Sequence, residues 1–533
     1  MKFRPWSSVI EVTLFATLAM LAGVAAQNAS AQETTTKHHH YKLFDVGTFG
    51  GPEGLFSNPG NRVINHRGTA TGDADTAVAD PYYPNCFYDC FVDHGFTWKD
   101  GIRTALDSLP GGLSNFPVEI NNGGSIVGSS QNGTIDPLTG APELRGVLWQ
   151  KGQIIDLGTL GGNASNANAI NDRGQVVGGA TNATPDPFAS APQGACMVLP
   201  STSSCSGSTF SFNSLYSNTT TETHAVVWQH GSTLDLGTLG GPDSTAWFTN
   251  EYGEVAGWSY TSFVANASTG VPSVDPFLWS PESGKMTDLG SLGGTFGAPF
   301  FLNNRGQVVG ISNLPGDIIA RPFIWSKSEG MKDLGSLGGT FGAPTWINET
   351  GEVVGLSNIA SDQDFHAFLW RHGVMADLGT VGTDHGSEAF TINSQGQIVG
   401  DSGSYGVDLH GFLWEADGLM ADLNELVVPG SGATVVTAVF INELGEIAGT
   451  ARFPNGTHPV PVLLIPCDEN HPDVEGCDYS LVEATTETPV ESAQIAQAPA
   501  AESAAKLSVG ELMKRSRSLM ANRNRRFGAL PLK

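Results

Sequence analysis

The chain has 533 residues, among them 67 Gly and 30 Pro; only 15% are charged, and the formal net charge is −27. This load of Gly and Pro excludes a helical protein, since both residues are poor in helix interiors and frequent in the turns of all-β folds. A hydrophobic content of 40% supplies a packed core and excludes global disorder, and the acidic body repels phosphate.

At the N-terminus, Lys2 and Arg4 precede an apolar stretch from Val12 to Ala26, and Ala29-Ser30-Ala31 offers a cleavage site. The pattern predicts a secretory signal over residues 1–31, short for a spanning helix, and therefore an extracytoplasmic protein, secreted or at the cell envelope. Residues 32–43 read as a flexible mature N-terminus, and His38, His39 and His40 within it as part of that segment rather than as a transition-metal site.

From residue 44 to 467 one unit of about 45 residues recurs, with insertions in some copies. A Trp closes one strand at Trp98, Trp149, Trp228, Trp279, Trp325, Trp370 and Trp414. Three further short apolar runs follow, ending in Asp-Leu-Gly, in Ile-Asn, and in the form Gly-Gln-Val-Val-Gly. Between the last two lies Asn-x-x-Gly, a tight hairpin, at Asn65, Asn121, Asn171, Asn250, Asn303, Asn348, Asn393 and Asn442. Four strands per unit predict the blades of a β-propeller. The first copy lacks the Trp-bearing strand, and HPVPVLLIPC at 458–467 resembles the missing piece. The reading is therefore an all-β propeller of about eight four-stranded blades, one closed by strands from both termini. A seven-bladed ring and an open solenoid are the rivals.

His366-Ala367-Phe368, echoed at His224, His410 and His94, together with Asp-Leu-Gly-Thr-Leu-Gly-Gly, resembles the HAF family of probable extracellular repeats over residues 44–466. Arg145, Asp275, Arg321 and Asn424 depart from that pattern. The resemblance implies an exported repeat protein and no particular activity.

Six cysteines suit an oxidising compartment, and proximity pairs Cys86 with Cys90, Cys196 with Cys205, and Cys467 with Cys477. A metal knuckle at 86 and 90 lacks a second pair nearby. The long insertions, 76–93, 129–144, 180–223 and 260–274, all follow the fourth run of a unit and so crowd one face. They bring Tyr82, Tyr83, Phe87, Tyr88, Phe210, Phe212 and Tyr216, candidates for stacking on a glycan or peptide. Asp73, Asp75, Asp80 and Asp89 form an acidic insertion in which calcium is the alternative to a solvated loop. The repeated acids Asp156, Asp235, Asp288, Asp333, Asp377 and Asp422 read as structural, each holding turn amides or a strand His of its own blade. Ser402, in Gly-Asp-Ser-Gly, has counterparts at Ser259, Ser312 and Ser357 and reads as part of a strand end, not as a nucleophile.

Residues 468–505 read as an acidic flexible linker, and 506–533 as a basic tail with eight Lys and Arg against Glu511. Subtracting +7 for the tail and +1 for the signal leaves −35 on the remainder. The tail suits an anionic surface, while the ring suits a glycan, peptide or envelope component and no nucleic acid. No nonrepeating acid stands out on a regular strand, so the expectation is a non-catalytic binding or scaffold module without cofactor or metal. A carbohydrate-active propeller, glycosidase or lyase, working in the central funnel is the alternative.

Overall fold

In the computed structural model the described residues are 37–56, 60–82, 91–136, 140–188, 221–267, 270–404, 407–415, 420–454, 456 and 458–483. They form a β-propeller of eight four-stranded antiparallel blades, which settles the blade count among the expectations above. Blade 5 shows the regular unit: Gly297–Leu302, Val308–Asn313, Ala320–Ser326 and Gly330–Asp333. A single parallel bridge, Ala320 to Phe341, joins it to blade 6. First strands of neighbouring blades pack side by side and line the axis.

Closure follows the sequence reading. Thr434–Ile441, Ile447–Arg452 and Val460–Pro466 supply three strands of blade 8, and Tyr41–Asp45 pairs with the third as the fourth. The N-terminal contribution starts earlier than the expected boundary at residue 44. Lys37–His39, placed by sequence in a flexible segment, pairs with Leu481–Glu483. His38 is 2% exposed there, with Nδ1 2.7 Å from Glu415. Cys467 and Cys477 form a disulfide beside this seam. Cys86, Cys90, Cys196 and Cys205 lie outside the described residues.

Two repeated devices explain the sequence motifs. The glycine that ends the second strand's Val-Val-Gly faces a bulge in the first strand: a Cβ on Gly310 would stand 2.1 Å from the Ala298 carbonyl oxygen and 2.8 Å from the Phe323 ring. Only Gly permits that approach. Phe323 and its counterparts Phe96, Phe277, Phe368 and Phe412 are fully buried over such glycines.

The second device is the Asn of Asn-x-x-Gly. In Asn303, Oδ1 accepts the amides of Arg305 and Gln307, while Nδ2 donates to the carbonyl oxygen of Asn348 in the next blade at 3.1 Å. The same donation runs from Asn65 to Asn121, Asn171, Asn250, Asn303, Asn348, Asn393 and Asn442, and returns from Asn442 to Asn65. Eight buried amides thus form a closed ring around the axis, each giving the next Asn carbonyl a second donor beside the amide of that turn's own Gly.

Candidate functional site

Counting back from each ring Asn aligns the axial positions of the eight first strands. Two residues before it stand Val63, Glu119, Ala169, Phe248, Phe301, Trp346, Thr391 and Phe440; three before it, Arg62 stands where the other blades carry Val118, Asn168, Trp247, Phe300, Thr345, Phe390 and Val439. Glu119 and Arg62 are therefore nonrepeating charges at the centre of a repeating ring. The aromatic members meet from blade to blade: Phe301 stacks on Trp346 at 3.7 Å, Phe248 lies 5.5 Å from Phe301, and Phe440 lies 5.6 Å from Trp346.

Blade 1 differs from its sisters because extra residues follow Phe56. Gly60, at φ +108°, is buried with Phe300 O, Thr345 O and the Phe248 ring of blades 4 to 6 as its nearest neighbours, so this turn reaches into the channel. Asn61 Nδ2 donates to Asn168 O at 3.1 Å; Arg62 donates through Nε to Ile120 O at 3.0 Å and through Nη2 to Ile170 O at 3.2 Å. These bonds staple the turn to blades 2 and 3.

Arg62 Nη2 also faces Glu119 at 3.6 Å and Asp172 at 3.8 Å. Glu119 accepts weakly from the Ile170 amide at 3.4 Å, and its side chain keeps a 13% exposed edge. Burial raises its carboxyl to about 7; Arg62 and the Ile170 amide oppose that rise, and the charges of Glu251 and Asp172 add to it. Asp172 is fixed by the amide of Asn122 at 2.8 Å and by its Nδ2 at 2.7 Å. Glu251 is raised by burial and by Asp172 while accepting the Asp172 amide. The arrangement offers a carboxyl that holds its proton near neutrality beside a cation-held carboxylate, which is an acid–base pair.

The sequence-predicted residues fall elsewhere. Of the stacking candidates, Tyr82 is described: half-buried in a turn, its amide donates to Asp80 Oδ1 at 2.8 Å. Tyr83, Phe87, Tyr88, Phe210, Phe212, Tyr216 and Asp89 lie outside the described residues. Asp73 is buried and raised to about 8 by burial and by the neighbouring Asp75, whose Oδ2 accepts the Glu53 amide. Among the described residues no group of three or more His, Cys, Asp or Glu is placed to hold a metal ion. The repeated acids cap their own turns: Asp377 accepts the Gly379 amide at 2.8 Å and faces His366 at 2.9 Å, and Asp235 does the same for Gly237 and His224. Arg145 replaces the His and reaches Asp156 at 3.4 Å. Ser402 Oγ accepts the Val381 amide, as Ser259, Ser312 and Ser357 do for Leu239, Leu292 and Leu337. It is a structural hydroxyl.

Comparison with protein-family models and with curated proteins finds no match. Solved structures similar in fold include the β-propeller domain of the Trilobed protease from Pyrococcus furiosus, 8% identical with a TM-score of 0.38, over 73% of this chain and 97% of that one. Porphyromonas gingivalis dipeptidyl peptidase 4 is 8% identical with a TM-score of 0.42, over 78% of this chain and 59% of that one. An oligogalacturonate lyase from Vibrio parahaemolyticus is 8% identical with a TM-score of 0.36, over 82% of this chain and 97% of that one. The chain spans about half to three-fifths of the peptidase chains it matches.

The expectation of a non-catalytic binding module, and with it the reading that the chain is no enzyme, is corrected here. The similar structures include, by name, an acylaminoacyl peptidase, a puromycin hydrolase, a dipeptidyl peptidase and an oligogalacturonate lyase, and the likeness to them is one of fold. The expectation also rested on finding no nonrepeating acid on a regular blade strand, and Glu119 is such an acid. The signal was present in the sequence: Pro-Val-Glu-Ile-Asn stands where other copies read Phe-Phe-Leu-Asn or Thr-Trp-Ile-Asn.

Proposed function

We propose that the chain is an extracytoplasmic carbohydrate-active enzyme, a glycosidase working at the axial funnel. The observation that carries this reading is the pairing of Glu119, protonated near neutrality, with Asp172 beside Arg62. Glu119 gives its proton to the glycosidic oxygen as the C–O bond breaks; the Asp172 carboxylate takes a proton from the water that forms the new bond to the sugar carbon. Half-buried Phe301 and Trp346 supply apolar faces for a sugar ring. Lyase chemistry is less well served, because it needs a cation for the substrate's own carboxylate. Arg62 already donates to Ile120 and Ile170, and a body of −35 repels anionic glycans. The exported setting rests on the signal-like N-terminus, the Cys467–Cys477 disulfide and the HAF-like repeat.

The test is reducing-sugar release by the full chain from a panel of neutral polysaccharides, with Glu119→Gln alongside. Loss of a general acid lowers turnover by about a hundredfold or more. Equal release by both proteins, or none by the wild type, defeats the assignment.

A further inference from the structure

The opposite end of the ring holds a second group of acids. Asp186 follows the second strand of blade 3 (Val176–Pro185), Glu222 is the second residue of its third (Thr221–Gln229), and Asp243 precedes the first strand of blade 4 (Ser244–Thr249). Asp243 and Glu222 are 5% and 9% exposed. The Thr223 amide donates to Asp243 Oδ1 at 2.8 Å, and Asn182 Nδ2 donates to Glu222 Oε2 at 3.2 Å. The positive partner of these acids among the described residues is His224, 4.0 Å from Glu222, and its Nδ1 is already engaged by Asp235 at 2.9 Å.

Two further groups lie near the acids, Thr245 through Thr223 and Tyr260 within reach of their charge. Thr245 is 2% exposed and its Oγ1 has no hydrogen-bond partner. It lies over Gly179, where a Cβ would be 2.8 Å from Thr245 Oγ1 and 3.2 Å from the side chain of Thr223, the residue whose amide holds Asp243. Tyr260 packs edge-on to Trp258 at 5.6 Å and beside Phe188 at 6.2 Å, and the charges of Asp243 and Asp186 bear on its phenol. Carboxylates short of a cation, a buried orphan hydroxyl and an aromatic wall make a receptor for a positively charged polar group.

We propose that this site binds the ammonium group of an amino sugar, as carried by a glucosamine polymer with free amines. An ammonium donates three hydrogens and accepts none, matching acceptors on Asp243, Glu222 and Thr245. The sugar ring finds its apolar contact on Tyr260 and Phe188, and the charge of −35 carried outside the signal and the basic tail draws in a cationic polymer. A metal ion is the poorer occupant, since no group of described ligands is spaced to hold one. Nothing in this inference depends on the chemistry at Glu119.

The experiment is calorimetric titration of the full chain, at physiological salt, with a glucosamine oligomer. Its N-acetylated counterpart, an oligolysine of matched charge, and the variants Asp243→Asn, Tyr260→Phe, Thr245→Val and Glu119→Gln complete the set. Saturable binding of the free-amine sugar is expected, with Asp243→Asn weakening it about tenfold and Thr245→Val about fivefold, as for loss of a hydrogen bond to a charged group, while Tyr260→Phe, which keeps the apolar ring, binds as the wild type does. Thr245→Val removes a hydroxyl that has no partner, so a folding defect does not mimic the result. Glu119→Gln is expected to bind as the wild type does; a loss there places the ligand in the funnel and overturns the proposal. Absence of binding, equal binding of the N-acetylated sugar, insensitivity to Asp243→Asn and Thr245→Val, or tighter binding of oligolysine overturns it too, the last in favour of a peptide.

Discussion

Asn442 donates its side-chain amide to the backbone carbonyl of Asn65 at 3.4 Å, and so the C-terminal blade is joined to the first by the same bond that joins every other pair of neighbours. The seam is closed twice over, once by Tyr41–Asp45 entering blade 8 as its fourth strand and once by this ring. Without Tyr41–Asp45 the third strand of blade 8, Val460–Pro466, would be left as a free edge.

Replacing Asn303 by Asp separates the two roles of the ring residue. Asp keeps the oxygen that accepts the Arg305 and Gln307 amides but loses the donor to Asn348. The Asn348 carbonyl keeps the Gly351 amide at 3.1 Å but loses this second donor, at a cost of about 0.5–1.5 kcal/mol. Asn303→Ala loses the turn acceptor as well and is expected to cost more. Denaturant unfolding of the two variants checks the order; equal stabilities would show that the ring bond contributes nothing.

Gly310→Ala tests the close approach at the bulge. The added Cβ meets the Ala298 carbonyl at 2.1 Å and the Phe323 ring at 2.8 Å, so backbone and core must both move. Overpacking of this kind costs about 1–3 kcal/mol or more. Gly101→Ala is the contrast: φ is +81° with nothing within 4 Å of the new methyl, leaving backbone strain of about 1–2 kcal/mol. A smaller loss at 310 than at 101 contradicts the packing argument.

Cys467→Ser tests the clasp. The disulfide closes a loop with a sequence separation of 10, for which chain entropy gives a stabilisation of about 2–3 kcal/mol. Hydrogen exchange is expected to rise first in Lys37–His39 and Leu481–Glu483, the paired strands beside it, and least in blade 5. Uniform protection in the variant contradicts the assignment.

The blades were legible because each solves one packing problem with one set of residues: a buried Phe over a Gly, an Asn that turns the chain, an Asp that caps. Repetition multiplies such signals, five times for the Phe, six for the Asp and eight for the Asn, and the complementary ends of the chain disclosed the latch. Function is the part that does not repeat, and it was harder to read for that reason. Glu119 becomes visible only when the copies are aligned on their ring Asn. The turn carrying Gly60 and Arg62 reads as an ordinary Gly- and Pro-rich loop until the fold puts it across the axis from Phe300 and Thr345. His38 has no local pattern to mark it as buried, because its burial comes from pairing with residues more than 400 positions away.

The pH dependence of stability isolates Glu119. Burial moves its carboxyl from the ordinary 4.5 to about 7. Between those values the unfolded chain has released the proton that the folded chain retains, so the folded state binds more protons and loses stability as pH rises across the window. Above about 7 both states are ionised, and the destabilisation stays at its full value. Glu119→Gln mimics the protonated form at every pH. It is therefore expected to raise the unfolding midpoint most at pH 8 and least near pH 4, flattening part of the decline between them. Asp243, raised to about 7, and Asp73, raised to about 8, contribute slopes of the same sign, so the wild-type decline is reduced but not abolished. Thermal unfolding of the two proteins across this range checks the claim, and a variant that parallels the wild type at every pH removes Glu119 as a carboxyl held protonated at the axis.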